Sequence, residues 1–206
     1  MPGALKNRQT ILASPDAAPL ATTLLPQEPA DRHRLVQRAA NGDRAAQQAV
    51  FQELFPLVHK HLSFVLGFGP TVDDAVQDSL LRIHRALPSF RGESSLATWA
   101  LAIASRTAFK HGVRERKHHG EELDEATRAS PYGHSEATSS TELRLLVKAL
   151  GHVSLKKRLA FVLIAILDYS ANEAGDVLGV SANTAASRFR HARQELLDYL
   201  ERHGPH

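Results

Sequence analysis

Residues 71–99 of the 206-residue chain have the sequence TVDDAVQDSLLRIHRALPSFRGESSLATW. Apolar residues recur in the first half at helical spacing, which predicts an amphipathic helix from Val72 to Ala86 that Pro88 terminates. Thr71 is the predicted N-cap, because the carboxylate of Asp74 follows three residues later at the positive end of the helix dipole. The first half of this stretch is therefore a capped amphipathic helix.

The second half of the stretch is predicted to be a short loop, Phe90–Glu93, followed by another helix. Ser94 or Ser95 caps this second helix, which runs from Leu96 to about Lys117. Trp99 is on the apolar stripe of the helix, which favours a core position over a base-stacking one. The first helix has an acidic outer face and the second a basic one, which indicates two partners, a basic protein surface and a nucleic acid.

The composition favours a helical protein of one or two small domains. Hydrophobic residues make up 43% of the chain and aromatic residues only 6%, so the core consists mainly of Leu, Ala, Val and Ile. The absence of cysteine excludes disulfides and thiolate metal sites. No apolar run approaches the ~20 residues that span a bilayer, so we expect no direct membrane insertion.

Interruptions of the apolar periodicity divide the chain into four predicted parts. Residues 1–30 contain four prolines and are predicted to be a disordered tail. The first helical domain covers 31–117, residues 118–140 form a flexible linker, and the second domain covers 141–203. Within the second domain, a very apolar helix is predicted from Lys156 to Leu167.

The first domain begins with two further predicted helices. One starts near Asp31 and stops at Asn41-Gly42, and Asp43 caps the next. Pro56 either kinks this second helix or marks a boundary.

The end of the chain has the pattern of a helix-turn-helix. Ser170 and Glu173 form a capping box, Gly179 turns the chain, and Ser181 caps a last helix from Ala182 to about Glu201. An αα-hairpin with a solvated face would give the same pattern, so the pattern alone leaves both readings open.

Two sets of motifs resemble the extracytoplasmic-function (ECF) sigma factors of bacterial RNA polymerase. Region 2 of that family is similar to Asp73-Asp74-Ala-Val-Gln77-Asp78-Ser-Leu-Leu-Arg82, Leu87-Pro-Ser-Phe90-Arg-Gly-Glu-Ser-Ser and Thr98-Trp99-Ala-Leu-Ala-Ile103-Ala104. Region 4 is similar to Leu178-Gly-Val-Ser181, Thr184, Ser187-Arg188 and Ala192-Arg193. The resemblance covers about residues 32–117 and 141–201. Because both sets occur in the family's order, it is more specific than a lone helix-turn-helix.

The resemblance implies an all-α protein of two small helical domains, a region 2 bundle and a region 4 helix-turn-helix, joined by the linker. It implies a transcription initiation factor that binds core RNA polymerase and directs it to specific promoters. Region 2 would melt the −10 element and region 4 would read the −35 element. The resemblance implies neither enzymatic activity nor a cofactor or metal.

The resemblance also assigns residues to each partner. The residues that match the face for the clamp of the largest polymerase subunit are Asp73, Asp74, Gln77, Asp78 and Arg82. Those that match the −10 and melting surface are Phe90, Arg91, Gly92, Glu93, Ser94, Arg106, Lys110 and Arg114. Those that match the −35 surface are Asn183, Thr184, Ser187, Arg188, Arg190, His191 and Arg193. Region 4 of the family also binds the flap of the second-largest subunit.

Two departures from the family bear on −35 recognition. Ala186 stands where the family usually has a basic residue, and His191 where it often has Arg. Losing these contacts predicts weak or altered −35 recognition, for which an Arg190–guanine contact would compensate.

Two other classes of protein are compatible with the same motifs. A degenerate sigma-like protein would bind polymerase or a regulator without directing initiation, and a helix-turn-helix repressor would bind DNA alone. The twelve histidines lack metal-ligand spacing, and the Asp73-Asp74 pair lacks catalytic partners. We expect a cytoplasmic protein with an anti-sigma partner, either free or held at the inner membrane through that partner.

Overall fold

The computed structural model describes the backbone of residues 29–118 and 141–203, and the side chains of 31–113 and 143–203. Throughout these ranges the regular structure is helical, which confirms the predicted all-α class. The helices are α1 (Pro29–Ala40), α2 (Arg44–Leu66), α3 (Pro70–Ala86), α4 (Leu96–His118), α5 (Thr141–Gly151), α6 (Leu155–Phe161), α7 (Ala171–Leu178) and α8 (Ala182–His203). A 3₁₀ turn, Leu87–Ser89, follows α3, and a π-helical turn, Val162–Ile166, follows α6.

The N-terminal unit consists of α1–α4, and α2 is its central helix, packed against the other three. Val50, Leu54, Val58 and Leu62 lie four residues apart on one face of α2 and are fully buried. That spacing places them on a single stripe, so the periodicity that predicted this helix also builds the core.

The helix starts in this unit are set by local capping. The Asp43 carboxylate accepts a hydrogen bond from the Ala46 amide at 3.0 Å, and Ser95 accepts one from the Thr98 amide at 3.0 Å, so both predicted caps are confirmed. The prediction of Thr71 as the cap of α3 is wrong. The helix begins at Pro70, two residues before the predicted first residue Val72, and the missing N–H of a proline in the first turn costs nothing.

Pro56 lies inside α2, which continues without a break from Arg44 to Leu66. Of the two alternatives for Pro56, a helix boundary is therefore excluded. Packing of the buried stripe on both sides of Pro56 holds the two halves in one helix.

The C-terminal unit consists of α5–α8, with α8 packed on α6 and α7. The predicted helix from Lys156 to Leu167 is present as a helical segment, but its α-helical part ends at Phe161 and the π-helical turn completes it. The Leu167 amide then donates to the carbonyl of Val162 at 3.0 Å, five residues back, which is the bond of a π-turn. Asp168 follows with φ of 59° and turns the chain towards α7.

The two units share one core. Helices α6 and α7 pack on α2 and α4, and a single cluster of buried side chains runs through both units. The predicted tail and linker lie almost wholly outside the described residues, and the predicted limits 31–117 and 141–203 stay predictions.

Candidate functional site

The helix-turn-helix is built by two short-range caps and a glycine. Ser170 Oγ accepts from the Glu173 amide at 3.2 Å, and a Glu173 carboxylate oxygen accepts from the Ser170 amide at 2.9 Å, which completes the capping box. The Ser170 hydroxyl also donates to the Glu173 carboxylate at 2.7 Å, and this bond, with the one from the Ser170 amide, lowers the pKa of Glu173. Gly179 closes α7 in the left-handed region (φ 65°), and Ser181 Oγ caps α8 at the Thr184 amide, 3.2 Å away. All three local predictions are confirmed.

Gly175 is a positioning residue of this motif that the sequence analysis did not single out. A Cβ atom at this position would lie 2.7 Å from the carbonyl oxygen of Val180, closer than side-chain atoms approach backbone. The Val180 amide donates to the carbonyl of Gly175 at 2.9 Å, so the turn folds directly onto the helix. A glycine inside a helical pattern was the available signal.

Helix α8 directs one face inward and another to solvent. Ala185, Ala192 and Leu196 are buried. Phe189 is half-buried and stacks on Phe161 with ring centroids 5.8 Å apart. Of the predicted −35 residues, the exposed ones are Asn183, Arg190, His191 and Arg193, and the half-buried ones are Thr184, Ser187 and Arg188; Ala186 is also half-buried.

The carboxylates on the acidic face of α3 are of two kinds, those exposed to solvent and one that is paired within the chain. Asp73, Asp74 and Gln77 are exposed. Asp78 is engaged within the chain, where one carboxylate oxygen accepts from Arg82 Nε at 2.8 Å. Its other oxygen lies 3.3 Å from His111 Nε2 and 3.6 Å from Lys110 Nζ of α4.

This network lowers the pKa of Asp78. Partial burial alone would raise that pKa, but the hydrogen bonds from Arg82 and His111, with the charges of Arg82 and Lys110, outweigh it. The carboxylate therefore stays ionised and connects the predicted polymerase-binding helix to the predicted DNA-binding helix.

The loop between α3 and α4 has a buried anchor and an exposed tip. Phe90 is only 8% exposed and packs on Trp99, with ring centroids 5.2 Å apart and ring planes at 59°. Both rings therefore belong to the packing of this unit, as predicted for Trp99.

The exposed tip of the loop consists of Arg91, Gly92, Glu93 and Ser94. Gly92 has φ of 75°, and a Cβ there would lie 3.2 Å from His33 Nδ1 of α1.

Cationic side chains extend the exposed surface along α4. Arg106 and Lys110 are exposed, one turn apart, while Ala104 and Ala108 of the same helix are buried. The side chain of Arg114 lies outside the described residues, so its predicted contact with DNA stays a prediction.

Two large apolar side chains on α2 and α3 are exposed. Phe55 of α2 and Leu81 of α3 are each 49% exposed. The rings of Phe51 and His84 are in contact at 5.9 Å. Phe55 lies one turn along α2 from Phe51, and Leu81 lies one turn before His84 in α3. The sequence analysis missed this pair because an apolar residue at helical spacing reads as core.

The described residues contain neither a metal-binding cluster nor a membrane-spanning helix. No group of three or more His, Asp or Glu side chains there has the arrangement of a metal site. In the same ranges no helix has the length and apolar character needed to span a membrane.

The paired helical units and the helix-turn-helix define a class of DNA-binding proteins, and comparison with known proteins identifies the family. The family model "Sigma-70 region 2" matches residues 50–118, and "Sigma-70, region 4" matches residues 143–196. The chain belongs to the sigma-70 family, as an ECF sigma factor that directs RNA polymerase to promoters. This family is a class of non-enzymatic transcription factors.

Named relatives support the same assignment. The chain is 27% identical over 160 residues to the ECF RNA polymerase sigma factor SigM of Mycobacterium tuberculosis, covering 77% of this chain and 79% of the relative. It is 29% identical over 175 residues to the ECF RNA polymerase sigma-E factor of Salmonella typhimurium, covering 79% and 90%.

Solved structures have the same fold. The sigma factor RpoE of Bartonella quintana, in complex with the anti-sigma factor NepR, is similar with a TM-score of 0.62 and 25% identity, covering 75% of this chain and 96% of that one. CnrH, in complex with the cytosolic domain of CnrY, has a TM-score of 0.62 and 23% identity, covering 82% and 96%.

Proposed function

We propose that this sigma factor binds core RNA polymerase through α3 and promoter DNA through two separate surfaces, one in each unit. The −10 surface is the loop tip with Arg106 and Lys110, and the −35 surface is the exposed side of α8. The observation that carries this proposal is the exposure of these side chains while intervening positions on the same helices are buried. Exposed cations beside phosphates would make DNA binding depend steeply on salt.

The polymerase surface combines exposed carboxylates with an apolar centre. Asp73, Asp74 and Gln77 are exposed, Leu81 is exposed one turn along α3 from Gln77, and Phe55 is exposed on α2, which packs against α3. Apolar side chains at the centre of an interface contribute most of its affinity, whereas rim charges mainly set the association rate. Asp78 is held by its intramolecular bonds, so it orients Lys110 and Arg82 rather than serving as a free contact.

The DNA-binding residues also differ in role. Phe90 supports the loop from inside, and the exposed tip would receive an extruded base of the −10 element. On α8, Asn183 and Arg190 would meet base edges, while Arg193 would meet phosphate. Secondary contacts with DNA would come from the half-buried side chains of Thr184, Ser187 and Arg188.

Substitution of the polymerase surface tests this assignment. Asp74→Ala combined with Gln77→Ala should lower the association rate with core polymerase, and Leu81→Ala should mainly raise the dissociation rate. Surface-plasmon resonance with immobilised core polymerase measures both rates. The matched control is Gln48→Ala, an exposed helical position of α2. Unchanged kinetics in both variants, with the same helical content as wild type, would refute the assignment.

The remaining assignments follow from the family. We propose that the protein is non-enzymatic, acts in the cytoplasm and is regulated by an anti-sigma factor. The similarity of this chain to RpoE of Bartonella quintana, whose structure was solved in complex with the anti-sigma factor NepR, supports the anti-sigma proposal. Co-purification of a partner whose addition abolishes promoter-dependent transcription is the expected result.

A further inference from the structure

Helix α1 places an imidazole beside the loop that carries the predicted −10 contacts. His33 is an exposed residue in the second turn of α1. A Cβ atom at Gly92 would lie 3.2 Å from His33 Nδ1 and 3.5 Å from its Cε1, so the ring lies directly against the backbone of the loop. Helix α1 also packs on the 3₁₀ turn Leu87–Ser89, which leads into the loop. A side chain of α1 is therefore part of the surface at the loop tip.

The close approach depends on glycine at position 92. Its φ of 75° is in the left-handed region, which residues with a side chain rarely adopt. A side chain there would also press against the His33 ring. The loop thus has bare backbone where it meets α1, and the ring of His33, rather than a side chain of the loop, occupies that side of the tip.

Both sides of this site are held in place by the fold. Phe90, at one end of the tip, is buried and packs on Trp99. At the other end, Ser95 Oγ accepts a hydrogen bond from the Thr98 amide at 3.0 Å. Helix α1 is fixed by the buried side chain of Val36, one turn after His33. A site whose parts are held before binding loses little conformational entropy when its ligand arrives.

The His33 ring is free to bind a ligand. Within residues 31–113 and 143–203, no hydrogen bond or ion pair engages it. A neutral imidazole offers one N–H donor and one nitrogen acceptor, and its flat face can stack on a nucleobase. Arg91, the neighbour of Gly92, is exposed, and its positive charge can hold the phosphate of an extruded nucleotide. The two side chains together suit a nucleotide of single-stranded DNA.

We propose that His33 is a specificity-determining residue for the −10 element and forms, with the Gly92 backbone, one side of the site that receives the extruded base. This inference rests on the proposed function of the loop tip. A hydrogen bond from the ring to a base edge distinguishes bases at a single position, whereas phosphate contacts of the neighbouring cations do not. Loss of one such hydrogen bond corresponds to about a 2- to 10-fold loss of preference.

Selection from a random pool tests the base contact. Holoenzyme assembled from the full chain and core polymerase is incubated with single-stranded oligonucleotides of random sequence, and the bound strands are sequenced. The wild type should enrich particular bases at several adjacent positions. His33→Ala should lower the preference at one of these positions by about 2- to 10-fold and keep the others. Gln37→Ala, at an exposed position one turn further along α1, is the matched control and should keep every preference.

A double-mutant cycle tests the contact between the ring and the loop without DNA or polymerase. Gly92→Ala should destabilise the wild type more than it destabilises His33→Ala, because the added methyl group meets the ring only in the wild type. Chemical denaturation of the four proteins measures this coupling. An equal loss of stability in both backgrounds would overturn the proposed approach of His33 to the loop.

The selection distinguishes a failure of this inference from a failure of the proposed function. A wild type that enriches no sequence would refute the −10 assignment of the loop, and the role of His33 with it. A wild type with clear preferences that His33→Ala keeps in full would overturn the role of His33 alone. An equal loss of binding to all sequences would also overturn it, because His33 would then be a phosphate contact.

Discussion

His61 is a wholly buried titratable group in α2, and its Nε2 lies 3.0 Å from the hydroxyl of Ser105 in α4. Burial lowers the pKa of His61 from 6.5 to about 3, because the charged imidazolium would lose its hydration. The native state therefore holds this side chain neutral across the physiological range. The sequence placed no histidine in a metal site and left His61 with either a structural or a solvated role.

Acidification should destabilise the protein through His61. The unfolded chain takes up a proton at His61 below about pH 6.5, whereas the folded chain does so only near pH 3, so stability falls with pH throughout that window. At pH 5 the loss is about 2 kcal/mol. Chemical denaturation at pH 7 and pH 5 measures it.

Two variants separate His61 from other titrating groups. His61→Gln keeps a hydrogen-bonding side chain but cannot ionise, so most of the stability difference between pH 7 and pH 5 should disappear. His59→Gln, at an exposed position two residues away, should keep the wild-type difference. Equal pH dependence in wild type and His61→Gln would contradict the assignment.

Among the elements, the helix-turn-helix depends on the close approach at Gly175. Gly175→Ala should lower the free energy of unfolding by about 1–3 kcal/mol, because the added methyl group would press against the carbonyl of Val180. Asp176→Ala, at the adjacent exposed position, is the control and should be nearly neutral. Thermal unfolding followed by circular dichroism compares the two, and equal transition temperatures would argue against a tight turn.

A substitution in helix α8 tests the proposed contact of Arg190 with the −35 element. Arg190→Ala should reduce affinity for the cognate −35 element by roughly 5- to 150-fold, the range of a lost arginine–guanine contact of 1–3 kcal/mol. Because a base contact carries sequence preference, affinity for unrelated DNA should fall much less. Fluorescence anisotropy at fixed salt measures both affinities. Gln194→Ala, one turn further along α8, serves as the control, and an equal loss on all sequences would make Arg190 a phosphate contact instead.

For the molecule as a whole, the shared core predicts coupled unfolding of the two units. Trp99, the single tryptophan, reports on the N-terminal unit, while far-ultraviolet circular dichroism reports on all helices. In denaturant, the two signals should coincide for the wild type. Arg158 of α6 donates to the carbonyl of Val65 in α2 at 2.6 Å, a contact between the units. Arg158→Met should separate the two signals into two transitions, and a wild type that already unfolds in two steps would contradict this coupling.

Much of the fold was predictable because its signals are local. The caps at Asp43, Ser95, Ser170 and Ser181 each involve residues within three positions, and helical periodicity marked the buried stripes. The cap at Thr71 was wrong because a proline fits in the first turn of a helix, where it does not break the chain's path. Periodicity alone left two alternatives at Pro56, and packing of the buried stripe decided for a continuous helix. The π-turn after Phe161 was not predictable from periodicity, because it changes the register without changing composition.

Local sequence determined where the helices begin and end, which faces are apolar and which family the motifs resemble, since capping and periodicity act over a few residues. Tertiary packing determined which of the candidate residues are free to bind. It buried Phe90 against Trp99, engaged Asp78 with α4, and brought Arg158 to the end of α2, 93 residues away in the chain. Such contacts depend on the meeting of surfaces distant in sequence, and no local pattern records them.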